Sequence, residues 1–151
     1  MTTPGPLAAR AERRTVVDAD GRAKAYRPLP GPDRTAAVVA GMQAYDAGDF
    51  FEAHELMEPA WMGTDDPAER ELIQGLIKLA AADVHGVRGN PRGVARNLEG
   101  ARDRLRRVPD GDAVAGLRFD LPGVLGAIDR RLAELAADHA TDPIPVSWSS
   151  R

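Results

Sequence analysis

The sequence predicts an all-α fold: a five-helix bundle built from two αα-hairpins and a closing C-terminal helix, with irregular arms at both ends. Three observations predict it. Apolar residues recur at helical spacing through a body running from about residue 33 to 139. Glycine followed by Asp or Asn stops and restarts that pattern twice. No segment alternates apolar and polar residues over strand length, so no sheet is expected.

Size and composition agree with one domain. The 151 residues are 43% apolar and 28% charged, enough to bury a core without a disulfide or metal staple. The chain has no cysteine, which excludes a disulfide scaffold, a thiolate zinc site and a thiol nucleophile. No run approaches the ~18 apolar residues of a membrane span, so no membrane partner is expected. The net charge of −3 does not favour nucleic acid.

Three regions are expected: an arm over 1–32, the bundle over 33–139 and a tail over 140–151. The arm carries Pro4, Pro6, Pro28, Pro30 and Pro32 and few large apolar residues, too little to offset its ordering entropy. Its Arg13-Arg14 pair lacks the apolar stretch of an export signal, and a cytoplasmic location is expected by default. The tail, with Pro143 and Pro145, is expected to be irregular and to be pinned to the body by Trp148.

The first helix spans about 34–47, with Val38, Val39, Met42 and Tyr45 on one face and Gly48 as its stop. Asp49 opens the second, with Glu52 three residues on completing a capping box. Asp66-Pro67-Ala68-Glu69 opens the third, an N-cap followed by a first-turn proline and acid. That helix runs to about Arg88, and its face of Ile73, Leu76, Ile77, Ala80, Val84 and Val87 makes it the expected centre of the bundle. Gly89-Asn90-Pro91 repeats the stop and restart, and the fourth helix runs to about Arg107. Its stripe is Val94, Leu98, Ala101, Leu105 and Val108, and arginines cover much of the rest. Residues 46–71 hold nine acids against Arg70 alone, so pairing of the two regions is expected rather than a nucleic-acid surface. The fifth helix begins near Asp120 and carries Leu121, Val124, Leu125, Ile128, Leu132 and Leu135.

The second helix carries the chemistry. On an ideal wheel with His54 at zero, Glu58 lies at about 40°, Trp61 at about −20°, Phe50 at about −40°, Phe51 at about 60° and Met57 at about −60°. His54 and Glu58 thus fall in the middle of the most aromatic face, where a carboxylate must be paired or coordinated. Their i, i+4 spacing lets both reach one ion. On the third helix, Gln74, Lys78, Ala81 and His85 form a stripe beside the main apolar face and are the expected neighbours. His54, Glu58 and His85 are therefore the candidate metal ligands, with Trp61, Gln74 and Lys78 as packing and motif residues. Glu55 is a remote candidate base; a solvated edge acid is its simpler reading.

Phe50-Phe51-Glu52-Ala53-His54-Glu55-Leu56-Met57-Glu58-Pro59-Ala60-Trp61 resembles the signature of the all-α family called domain of unknown function 309: His, three residues, Glu, two residues, then an aromatic. Leu72-Ile73-Gln74-Gly75-Leu76-Ile77-Lys78-Leu79 and His85 through Gly89-Asn90 resemble it as well, over about residues 36–135 in all. The resemblance implies a bacterial or archaeal helical bundle without an established activity. It also implies metal binding at His54 and Glu58; His85 is added by the wheel alone. Pro59 departs from the helix former expected there, removing a backbone hydrogen bond to the Glu55 carbonyl.

Two functions remain open at this point. One is a divalent-metal or small-ligand site, with zinc as an example, that includes the possibility of an enzyme. The other is a non-catalytic structural or protein-interaction bundle in which His54 and Glu58 are a buried hydrogen-bonded pair. The sequence leaves homo-oligomer formation open.

Overall fold

The computed structural model describes residues 15–17, 23–137 and 143–150, with side chains over 25–137 and 143–150. The expectations for 1–14 and 18–22 of the arm, and for 138–142, lie outside the described residues. The element order is β1 (Thr15–Val17), β2 (Ala23–Ala25), α1 (Gly31–Asp46), α2 (Phe50–Met62), α3 (Pro67–Val87), α4 (Pro91–Leu105), β3 (Leu117–Phe119), α5 (Leu121–Ala136) and β4 (Trp148–Ser150). The five helices expected are the five observed among the described residues.

The turns follow from the glycines. Gly48 and Gly89 adopt φ of 83° and 70°, a left-handed region that side chains avoid and that a helix stop requires. Gly48 N–H donates to the Tyr45 carbonyl at 3.0 Å and Asn90 N–H to the His85 carbonyl at 2.9 Å, so the ends of α1 and α3 keep backbone partners. Three expected caps form. Asp66 accepts from Glu69 N–H at 2.8 Å, Asn90 from Gly93 N–H at 3.1 Å and Asp120 from Gly123 N–H at 3.1 Å. The fourth does not: Asp49 makes no side-chain cap, and the capping box with Glu52 is absent. α1 begins three residues early because Gly31 and Pro32 occupy its first turn, where proline needs no N–H partner.

α3 lies between α2 and α4 and is buried on nearly every side. Leu72, Ile73, Gln74, Gly75, Leu76 and Ile77 are consecutive buried residues, which one apolar stripe on a surface helix cannot produce. Leu72 and Leu79, off the main face on the wheel, are as buried as Ile73. Val87, expected in that face, is 77% exposed. It is the last residue of the helix and lies beyond its packing neighbours. α2 continues through Pro59 to Met62.

The expectation of no sheet is corrected. β1 pairs with β2, and β3 pairs with β4, each antiparallel. β3 has a buried, exposed, buried pattern over three residues, too short to register as alternation, and its partner follows α5. Phe119 opposes Trp148 in this ladder, their rings stack at 6.5 Å, and Trp148 Nε1 donates to Asp46 Oδ2 at 2.9 Å. Trp148 thus pins the tail as expected. The charge pairing also forms: Arg104 of α4 and Arg107 just beyond its end meet Glu71 at 3.2 and 3.7 Å. No helix of the described residues is long and apolar enough to cross a membrane.

Candidate metal centre

The buried face of α2 is Phe50, Ala53, Met57, Ala60 and Trp61. Phe51 is not part of it and is 62% exposed. The wheel reading centred this face on the aromatic residues; the structure centres it on the Ala53, Met57 and Ala60 side. The cause is α1. A side chain at Gly41 would overlap Met57, and its Cβ would come within 3.3 Å of the Ala53 carbonyl. The two helices approach closely there, so the small residues mark the contact.

His54 and Glu58 consequently lie on the rim of the buried face and are both half-buried. The His54 side chain is 29% exposed. The structure nevertheless gathers donors around His54. One ligand atom each from His54, Glu55 and Glu58 lies within 4.8 Å of the other two. The three residues lie within little more than one turn of a continuous helix, so the backbone itself holds their spacing.

His54 Nδ1 is buried and has no hydrogen-bond partner. Its nearest carboxylate contact is Glu55 Oε1 at 3.5 Å, beyond a good hydrogen bond. A buried ring nitrogen in this state lacks either a proton acceptor or a Lewis acid. Trp61 Nε1 is likewise buried without a partner, on a ring that is 2% exposed. Its indole anchors α2 in the core and offers a metal nothing, because indole is a donor only.

The other expected residues make contacts of their own. His85 is outside the donor group. Its Nδ1 lies 3.2 Å from Asn90 Nδ2. Gly93 N–H occupies Asn90 Oδ1, so the amide nitrogen faces His85 and the ring nitrogen accepts. His85 is thus part of the α3–α4 turn, where a Cβ on Gly93 would come 2.5 Å from it. Lys78 faces α4, with Nζ 2.9 Å from where a Cβ on Gly100 would lie. Gln74 is buried in α3. The third member of the group is instead Glu55, whose side chain is 56% exposed. Its signal in the sequence was the i, i+3 spacing to Glu58 with His54 adjacent, outweighed by its position on the solvent edge of the wheel.

Residues 38–97, which include the donor group and most of α1 to α4, match the model of the family described as Domain of unknown function (DUF309). An "Uncharacterized protein" of Aquifex aeolicus (strain VF5) is 31% identical over 102 residues, covering 65% of this chain and 31% of that protein. The chain therefore spans about a third of the length of this curated relative. No solved structure matches this chain. The DUF309 match covers all three donors and ends within α4, so α5 and the tail lie outside it.

Proposed function

We propose that this protein binds one divalent transition-metal ion through His54, Glu55 and Glu58. The observation that carries the proposal is the buried, unpartnered Nδ1 of His54 beside two carboxylates within 4.8 Å. One imidazole and two carboxylates make a borderline-hard donor set that suits zinc, manganese or iron and not a thiolate-seeking ion. Three protein ligands leave a position open for water or substrate, as in catalytic rather than structural sites.

A bound ion would supply a Lewis acid that lowers the pKa of its water toward neutrality. The chain's own residues set the surroundings. Glu55 and Glu58 bring negative charge that offsets the ion's. Half-burial of His54 leaves one side of the site facing solvent. Trp61 and Met57 fix the helix register beneath it. The test is the metal content of protein purified without a histidine tag. Close to one equivalent in the wild type, falling to background in His54→Ala with the helical signal intact, is the expected result. Equal metal content in the two proteins would overturn the proposal.

A second reading is favoured by one other observation. Phe51 and Val87, the exposed large apolar residues among those described, line one groove between the start of α2 and the end of α3. Large exposed apolar side chains brought together mark contact surfaces. Under this reading the bundle works by binding a protein, and Phe51→Ser with Val87→Ser abolishes its function while the metal content is unchanged.

A further inference from the structure

Residues 143–150 lie against the bundle, and Ile144 is buried there. Tyr45 of α1 meets it. Tyr45 Oη lies 2.5 Å from Asp83 Oδ2 of α3 and 2.6 Å from the Ile144 carbonyl oxygen. Both are hydrogen-bond distances, yet a phenol has one proton and a carbonyl has none. Both bonds form together only if Asp83 carries the second proton, donating to Tyr45 while Tyr45 donates to Ile144. With Asp83 ionised, the phenol proton serves one acceptor and the other contact becomes a close approach of two unprotonated lone pairs.

We propose that Asp83, Tyr45 and Ile144 form a proton-operated latch, which holds the C-terminal segment 143–150 on the bundle when the Asp83 carboxyl is protonated and loosens it when the carboxyl ionises. The groups around Asp83 decide its range. Tyr45 approaches from α1, with Asp46 acting on Tyr45 itself; Arg131 approaches from α5; the Ile144 backbone N–H approaches from the tail. Val94 and Leu98 of α4 face the same space and are apolar. On α3 itself, His85 is engaged with Asn90. Burial raises the Asp83 carboxyl to about 6, against the opposite pull of the Tyr45 hydroxyl, Arg131 and the Ile144 N–H.

The tail has a second, independent anchor. Trp148 bonds Asp46 and stacks on Phe119, and neither contact depends on Asp83. Ionisation therefore loosens the Ile144 end, which keeps the Arg131 hydrogen bond to the Pro143 carbonyl at 3.3 Å and the Ile144 N–H bond to Asp83, and leaves the β4 end in place. The loosened stretch borders the surface that Tyr45, Phe50 and Ala47 share with residues 143–146.

The chain has no cysteine, so one cysteine can carry a probe without background. A nitroxide on Pro145→Cys, at an exposed position beside Ile144, reports tail mobility by electron paramagnetic resonance. In the otherwise wild-type chain the mobile fraction should rise about tenfold from pH 5 to pH 8, with its midpoint near 6. Asp83→Asn should hold the tail immobile throughout, because the amide donates to Tyr45 at every pH. Tyr45→Phe should show a mobile tail at both ends of the range, with no midpoint. A mobile fraction that does not change from pH 5 to 8 would overturn the proposal, as would a midpoint that survives Asp83→Asn.

Discussion

Gly75 of α3 lies directly against Leu105 of α4: a Cβ on the glycine would come 2.5 Å from Leu105 Cδ2 and 2.7 Å from its Cγ. Leu105 is 1% exposed and has no room to withdraw. Gly75→Ala in an isolated helix would stabilise by up to about 1 kcal/mol. Here overpacking is the larger effect, and a net loss of about 1–2 kcal/mol in urea denaturation is expected. A gain in stability would mean the α3–α4 contact is looser than described.

Ile77 faces the centre of the bundle and is buried. Ile77→Ala should cost about 2–5 kcal/mol through the cavity it leaves. A loss below about 1 kcal/mol would show that α3 is peripheral.

Val87→Ser should change stability by no more than about 0.5 kcal/mol. In the sequence Val87 continues the Ile73, Ile77, Ala80 and Val84 stripe, and periodicity alone assigns it to the core. A loss above about 1 kcal/mol would place it in a contact that the described residues do not form.

Legibility in the sequence followed the range of the interactions. Caps and stops at Gly48, Asp66, Gly89, Asn90 and Asp120 depend on neighbours within four residues, and all appear as expected. The failed cap at Asp49 shows the limit: the residue type suits the role, but its side chain does not bond the helix. β3 depends on a partner beyond a whole helix, so three residues carried no signal. The rim position of His54 was hidden because the α1–α2 contact is set by Gly41 and Ala53, and small residues add little to an aromatic-weighted wheel. His85 shared a stripe with plausible neighbours, yet the local turn through Asn90 engages it first. The donor group was two-thirds legible from spacing within one helix, and Glu55 required the actual side-chain positions.

Asp83 gives the stability a pH dependence of defined sign. Its folded-state carboxyl is raised from 3.8 to about 6, so folding favours the protonated form. The contribution is fully present below pH ~4 and is lost as pH rises through about 6. Asp83→Asn removes the titration. It should therefore match the wild type near pH 4 and be more stable at pH 8, by no more than about 3 kcal/mol. Denaturation midpoints at both pH values check this, and a variant less stable than the wild type at pH 8 would reverse the sign.

The central claim, a metal held by His54 rather than by the other histidines, is tested most directly by long-range proton–nitrogen NMR of the imidazoles as zinc is added to untagged protein. The sequence has three histidines, His54, His85 and His139, so each ring can be followed separately. The ring nitrogens of His54 should shift and saturate at one equivalent of zinc, while those of His85 and His139 stay in place. Glu58→Gln should weaken the response by roughly 10-fold or more through loss of a charged ligand. A His54 ring that does not move at equimolar zinc, or that moves only together with His85 and His139, would contradict the assignment.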